Sequence, residues 1–208
     1  MRLELFYDVI SPWSYLAYET LHRYRHAWDL ELVLRPAFLA GVLSATGNAP
    51  PISVPARAVY LLQDLARSSR YFEVPLQFPT GFPGNTIAAM RLLTLVAEEQ
   101  PRHHEDLARA LWRAYWSDDV DIADVGNLKA ACVGVGIDDA LVDRAGDADN
   151  KARLRGATEE AVARGAFGFP AMFVGNDDGG EDLYFGSDRL ALLAFERGLP
   201  WHGPVPKD

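Results

Sequence analysis

The start of the chain narrows the possible folds sharply, because a strand passes straight into a helix there. Residues 3–9 read as a strand, and Pro12 opens a helix with Ser11 directly before it. A helix N-terminus carries free backbone N–H groups and the positive end of the helix dipole, so it suits an anion. Serines stand on both sides of Pro12-Trp13, and a hydroxyl cannot form a disulfide. The junction therefore predicts a site for an anion such as a thiolate, with the thiol supplied from outside the protein.

The composition is that of a folded globular protein and agrees with an enzyme, and it argues against several other classes of protein. The chain has 208 residues, 49% of them apolar and 24% charged, which is enough to bury a sizeable core. The net charge of −9 argues against a nucleic-acid partner, because phosphate would be repelled by this surface. No apolar run reaches the ~18 to 20 residues of a membrane helix, so we expect no membrane partner. The first strand begins at once, so we also expect no signal peptide and a cytoplasmic location.

Reactive and metal-binding side chains are few in this sequence. Cys132 is its single cysteine, which rules out a disulfide or a dithiol mechanism within one chain, and its apolar neighbours predict a buried structural thiol. His22 and His26 are four residues apart, but no third ligand accompanies them, so we expect no metal. His103 and His104 open a helix and are predicted to lie on the surface.

The hydrophobic pattern predicts the element order βαβ, then a helical block, then ββα. Strands are predicted at residues 3–9, 30–35, 171–174 and 182–185, with a turn at 176–180 between the last two. Outside the block, helices are predicted at 13–28 and 189–197; within it, near 56–72, 86–99, 105–116, 125–135 and 151–164. This order is that of an α/β thioredoxin-like fold with a large all-helical insertion. We expect residues 1–50 and 165–208 to form a discontinuous thioredoxin-like domain and residues 51–164 to form the inserted helical domain.

Several short stretches carry a resemblance to a known family. They are residues 6–14 (Phe-Tyr-Asp-Val-Ile-Ser-Pro-Trp-Ser), 34–36, 46–51, 165–170 (Gly-Ala-Phe-Gly-Phe-Pro), 185–189 (Phe-Gly-Ser-Asp-Arg) and 201–206. In these stretches, and nearly end to end, the chain resembles the kappa-class glutathione transferases and the related 2-hydroxychromene-2-carboxylate isomerases. The resemblance implies glutathione as the bound thiol, a small hydrophobic or aromatic electrophile as its partner, and a homodimer.

The resemblance also implies roles for residues at the two ends of the fold. Ser11, with Pro12 and Trp13 beside it, would hydrogen-bond the glutathione sulfur; from position alone, Ser11 is equally a helix cap worth ~1 kcal/mol. Pro170 would be cis, and the backbone of Phe169 would pair with glutathione as an added strand does. The alternative is a proline at the first residue of a strand, where no donor is needed.

Four further residues are implied in binding the two ends of glutathione. Ser187 and Asp188, which also read as a helix cap and an acidic first turn, would hold the γ-glutamyl group. Asn48 and Arg57 would hold the glycine carboxylate, although Asn48 could instead fix its own turn and Arg57 could be solvated. The family usually has lysine at the position of Arg57, so the charge is kept while the geometry differs.

The sequence thus leaves three functions open. The first is a glutathione transferase, in which Ser11 stabilises a thiolate that attacks an electrophile. The second is a 2-hydroxychromene-2-carboxylate isomerase, in which glutathione is a cofactor that adds and is later expelled. The third is a thioredoxin-fold protein that binds thiols or peptides without catalysis. The first two share one site and differ in the acceptor pocket.

Overall fold

Four strands form one mixed sheet in the computed structural model, which describes residues 1–176 and 178–206. The strands are β1 (Arg2–Tyr7), β2 (Glu31–Pro36), β3 (Ala171–Gly175) and β4 (Glu181–Phe185). Their order is β2-β1-β3-β4, with β1 parallel to β2 and antiparallel to β3, and β3 antiparallel to β4. The turn predicted at 176–180 includes Asp177, which lies outside the described residues. The sheet therefore joins the start of the chain to its last quarter.

The described residues also form nine α-helices, most of them between β2 and β3 in sequence. They are α1 (Pro12–Tyr24), α2 (Leu39–Thr46), α3 (Pro55–Phe72), α4 (Ile87–Glu99), α5 (Pro101–Trp116), α6 (Val125–Gly134), α7 (Ala140–Arg144), α8 (Ala148–Ala163) and α9 (Leu190–Glu196). Short 3₁₀ turns occur at Pro51–Ser53 and Ser187–Arg189. The helical block was predicted, whereas α2 and α7 were missed.

The two faces of β1 enter different parts of the core, because side chains alternate along a strand. Leu3, Leu5 and Tyr7 are fully buried in the larger cluster, which includes apolar residues of α1, α4 and α5. Phe6 belongs to a second cluster with Val42 of α2 and residues of α8 and β3. The sheet is thus covered by helices on both sides. No helix in the described part of the chain is long and apolar enough to cross a bilayer.

Two predictions about buried groups had opposite outcomes. Cys132 is buried, as predicted, and burial raises the pKa of its thiol to about 11. The prediction that His104 lies on the surface was wrong: its Nε2 is 2.9 Å from the buried Tyr7 hydroxyl, and desolvation lowers the pKa of the ring to about 4. The partner of His104 is 97 residues away, so local sequence gave no sign of it.

Candidate active site

Ser11 lies at the junction where β1 gives way to α1. The strand ends at Tyr7 rather than at residue 9, and residues 8–10 turn the chain into the helix. Ser11 is the helix N-cap, since its Oγ accepts a 3.1 Å hydrogen bond from the backbone N–H of Ser14. The same hydroxyl donates a 3.1 Å hydrogen bond to the carbonyl oxygen of Phe169. The capping interpretation is therefore correct as far as it goes, and the single proton of this hydroxyl already has an acceptor.

The Phe169–Pro170 peptide bond is cis, as the resemblance implied, and it leads directly into β3. Both residues are buried. The hydrogen-bonded register of β3 begins at Ala171 on both of its sides, so the backbone of Phe169 lies beyond the sheet ladder. This backbone lies next to the start of α1, where its carbonyl oxygen accepts the hydrogen bond from Ser11.

A cavity of about 910 Å³ opens beside this contact and includes every predicted site residue in its lining. These residues are Ser11, Pro12, Trp13, Asn48, Arg57, Phe169, Pro170, Ser187 and Asp188. A volume of this size is typical of small-molecule sites. Much of the rest of the lining is apolar and is contributed by Leu61, Leu65, Phe72, Phe78, Phe82 and Trp116 from the helical block. The cavity therefore combines the polar groups at the start of α1 with a largely apolar lining.

Charge is distributed unequally around the cavity. Arg57 is the one cationic side chain among the described residues that line it, against the carboxyl groups of Asp8, Asp64 and Asp188. Arg57 is exposed in the first turn of α3. An anionic ligand would therefore depend on Arg57 and on helix N-termini for its attraction.

Both polar atoms of the Asn48 side chain already form hydrogen bonds to the backbone, which the resemblance did not imply. Its Nδ2 donates a 2.8 Å hydrogen bond to the carbonyl oxygen of Phe167, and its Oδ1 accepts one of 2.8 Å from the N–H of Ala49. Asn48 thus fixes its own turn and ties the segment after α2 to the loop that ends in the cis-proline. One N–H of its amide remains for a ligand.

Ser187 and Asp188 line the cavity, but not as the simple helix start that was predicted. Ser187 is buried and opens a 3₁₀ turn, and α9 begins only at Leu190. The Asp188 carboxylate is largely exposed and is 3.2 Å from the Arg189 guanidinium. An incoming ammonium group would share this carboxylate with Arg189.

Asp8 is a buried carboxyl in the cavity wall that the sequence reading did not single out. It is fully buried and accepts hydrogen bonds from the N–H of Ile10 at 3.0 Å and of Leu39 at 2.9 Å, so it joins the turn before α1 to the start of α2. Burial raises its pKa to about 6, while those two bonds and one from Thr86 act in the opposite direction. Its place between a strand and a helix start is visible in the sequence, but nothing local indicates its burial or its partners in α2 and at Thr86.

The helical block supports the Ser11 turn from behind. The indole Nε1–H of Trp116 in α5 donates a 2.9 Å hydrogen bond to the carbonyl oxygen of Val9. The N–H of Val9 points at the sulfur of Met90 in α4, 3.5 Å away. Both contacts reach the residue two positions before Ser11.

Within the described residues, no group of three or more His, Cys, Asp or Glu side chains is placed to hold a metal ion.

Comparison with known proteins agrees with this combination of fold and site. The family model of the DSBA-like thioredoxin domain matches residues 2–196 of this chain. The chain is 42% identical to glutathione S-transferase kappa 1 of Rattus norvegicus, over 98% of this chain and 94% of the relative. It is 30% identical to 2-hydroxychromene-2-carboxylate isomerase of Sphingobium xenophagum, over 92% of this chain and 95% of the relative. A solved 2-hydroxychromene-2-carboxylate isomerase superposes with a TM-score of 0.83 at 24% identity, covering 95% of each chain.

The fold class is therefore confirmed as a thioredoxin-like α/β fold with a helical insertion. Within that class, the chain belongs to the DSBA-like thioredoxin family, in the group that holds glutathione S-transferase kappa and 2-hydroxychromene-2-carboxylate isomerase. Both kinds of relative are named as enzymes. The division into domains at residues 50 and 165 stays a prediction.

Proposed function

We propose that this protein is a glutathione transferase of the kappa type, in which Ser11 stabilises the glutathione thiolate for attack on a small apolar electrophile. The observation that carries the proposal is the contact of Ser11 with Phe169 at the cavity wall. It brings a hydroxyl, a helix N-terminus and a stretch of backbone outside the sheet ladder to one place. Glutathione is a tripeptide whose thiol is on its middle residue, so it matches this arrangement.

In the proposed complex, glutathione lies along the backbone of Phe169 as a short added strand. Its γ-glutamyl end faces Ser187 and Asp188, where a carboxylate is available for the α-ammonium group. Its glycine carboxylate faces Arg57 and the remaining N–H of Asn48. The sulfur then falls at the start of α1, near Ser11.

Binding would redirect one hydrogen bond of Ser11, the one that its hydroxyl donates. The hydroxyl proton is now held by the carbonyl oxygen of Phe169. An amide N–H of glutathione that pairs with this carbonyl replaces that bond, and the hydroxyl is then free to turn its proton toward the sulfur. No buried polar group is left without a partner, so the exchange avoids the penalty of an unmade hydrogen bond. The hydroxyl thus becomes a donor to the thiol only when a peptide occupies the site.

The chemical contribution of Ser11 and α1 is to favour the thiolate over the thiol. A free thiol has a pKa near ~8.5, so only a small fraction is ionised at neutral pH. A hydroxyl donor and the helix dipole together lower that pKa by one to two units, at about 1.4 kcal/mol per unit. The thiolate then forms a carbon–sulfur bond with the electrophile, and the leaving group departs with the electron pair of its bond. The protein supplies no covalent nucleophile.

The charges of the cavity favour a transferase over an isomerase. The isomerase relatives are named for a carboxylate substrate. Here Arg57 is the one cation among the described lining residues, and in the proposed complex the glycine carboxylate occupies it. Beside Asp8 and Asp64, a second carboxylate would meet repulsion without a counter-charge. The apolar lining therefore suits an uncharged acceptor.

Two measurements test this proposal. Millimolar glutathione should raise the melting temperature, since a ligand at ~100 times its dissociation constant adds ~2.7 kcal/mol of stability. Turnover should then be compared for 1-chloro-2,4-dinitrobenzene and for the carboxylated analogue 4-chloro-3,5-dinitrobenzoate. We expect faster enzymatic turnover of the uncharged compound, after correction for the uncatalysed rate. No melting shift would exclude both enzyme functions, and preference for the carboxylate would favour the isomerase.

A further inference from the structure

A second cavity, of about 600 Å³, lies between α2, α4 and α8. On α2 it is lined by Gly41 and Ala45, whereas the first cavity is lined by Leu39, Ala40 and Leu43 of the same helix. At 100° per residue, these two sets lie on opposite faces of α2. The second cavity therefore lies on the other side of α2 from the candidate active site, and Phe38, directly before α2, is in the lining of both.

Small residues on α2 leave the room for this cavity. A Cβ added to Gly41 would lie 3.0 Å from the Cγ2 of Thr158, so α2 and α8 approach closely there. Thr158 fixes this approach, because its hydroxyl accepts a 3.0 Å hydrogen bond from the N–H of Phe38. Beyond the close point the helices separate over an apolar floor that includes Ile87, Leu154 and Val162. The floor alone would suit an apolar molecule.

Three cations surround this apolar floor. Arg91 comes from α4, while Lys151 and Arg155 are one turn apart on α8. Among the described residues, none of the three forms a salt bridge, although cations elsewhere in the helical block do, as in the 2.6 Å pair of Arg144 with Glu99. Glu159 is the single acid in the described lining. The chain as a whole has a net charge of −9. This local excess of positive charge would therefore attract an anion to the cavity more strongly than to the rest of the surface.

We propose that this second cavity binds a small amphipathic anion, with its head group held by Arg91, Lys151 and Arg155 and its apolar body on Ile87, Leu154 and Val162. A carboxylate and a phosphate monoester share this chemistry, and both accept hydrogen bonds from guanidinium and ammonium groups. The cavity volume is within the range of small-molecule sites. The proposal rests on this cavity alone and is independent of glutathione.

Titration calorimetry with decanoate and with decyl phosphate tests the proposal and distinguishes the two head groups. We expect at least one of them to bind with one site per chain, at least 10-fold more tightly than 1-decanol or acetate, which carry only the tail or only the charge. The titration is run with and without S-hexylglutathione, and the variants described next locate the site whether or not that compound occupies the first cavity. Binding of acetate and decanoate with equal affinity, or of none of the four, would overturn the proposal.

Charge-reversal variants locate the site. Arg155→Glu should weaken binding at least 10-fold, whereas Arg153→Glu makes the same charge change two residues away, outside the cavity lining, and should weaken it less than 2-fold. Ala45→Phe keeps every charge and fills the cavity, so it should also abolish binding. Melting curves confirm that each variant is folded. Equal effects of the two charge reversals would show diffuse attraction rather than a site, and unchanged binding to Ala45→Phe would place the ligand elsewhere.

Discussion

The Ser11 hydroxyl donates its only proton to the carbonyl oxygen of Phe169, across 3.1 Å and 158 residues of sequence. One side chain therefore caps α1 and also holds the backbone before the cis-proline. In the proposed function, the same hydroxyl must leave this carbonyl to reach a thiol. The structural and the catalytic roles of Ser11 thus use different hydrogen bonds, and they can be measured separately.

Replacement of Ser11 by alanine should lower both stability and activity. The loss of the cap and of the bond to Phe169 should cost roughly 1 to 2 kcal/mol of unfolding free energy. The pKa of bound glutathione should rise, and turnover at neutral pH should fall roughly 10- to 1000-fold, the scale of one preorganised donor. The thiolate absorbance in the ultraviolet, titrated with pH in both proteins, gives the pKa.

Ser14→Ala is the matched control for this change. Its hydroxyl is buried on the same helix and has no hydrogen-bond partner within the described residues, so its removal should leave stability unchanged or increase it. Thiol pKa values that agree between wild type and Ser11→Ala would reduce Ser11 to a helix cap. Ser11→Cys should instead form a mixed disulfide with glutathione under oxidising conditions.

Asp8 should make stability fall as pH rises through its titration. Its pKa in the folded state is about 6, above the ordinary value of 3.8, so the folded protein holds this proton more tightly than the unfolded chain. Its contribution is therefore fully present below about pH 4 and is lost as pH rises past 6, by roughly 3 kcal/mol. The Asp8→Asn variant should lack this component, so its stability relative to wild type should improve from pH 4 to 7.5. Denaturant unfolding at each pH measures the difference, and parallel curves would refute the assignment.

Removal of the Arg57 guanidinium should weaken glutathione binding, with little effect on the pKa of the bound thiol. The proposed pairing with a carboxylate predicts a dissociation constant raised roughly 10- to 100-fold in Arg57→Ala, the usual worth of a hydrogen bond to a charged group. Arg57→Lys should recover most of the affinity. Arg102→Ala is the control, since Arg102 is exposed on α5 and lies outside the cavity lining. Equal effects of the two alanine variants would argue against a specific contact.

The resemblance also predicts a dimer, and α3 is the surface that we expect to form it. Val59, Tyr60, Leu62 and Tyr71 of this helix expose large apolar side chains, which is unusual on a monomer. Light scattering should give roughly 46 kDa, twice the 23.0 kDa of one chain. Tyr60→Glu should shift this toward the monomer, whereas Phe195→Glu, on the 82% exposed Phe195 of α9, should not. A mass of one chain for wild type would contradict the prediction.

The fold and the two segments that meet at the site could be predicted because their signals are local. Pro12 and the serine before it mark a helix start, and Phe169-Pro170 stands directly before a strand pattern, so each half of the contact is readable in a few residues. The resemblance then implied that the two segments lie at one glutathione-binding site. Helix α2 was missed because its sequence contains glycine, serine and threonine and lacks an alternation between polar and apolar faces.

Asp8 and His104 could not be predicted because their environments are assembled from distant segments. The carboxyl of Asp8 is buried by the start of α2 and by Thr86 of the helical block, and no local pattern indicates that closure. His104 is buried by its contact with Tyr7 on β1. In both cases the strand is readable from the sequence, while the partner depends on how the insertion packs.

The hydrogen bond from Trp116 to Val9 has a consequence for how the molecule unfolds. The inserted helices supply part of the structure that shapes the loop before Ser11, so that loop has no complete set of partners until the insertion has folded. Host and insertion should therefore melt as one cooperative unit, with equal calorimetric and van't Hoff enthalpies. A shortened chain without the helical block would contain the sequence of all four strands, but it would lack both the helices that bury one face of β1 and the contacts that shape its functional loop.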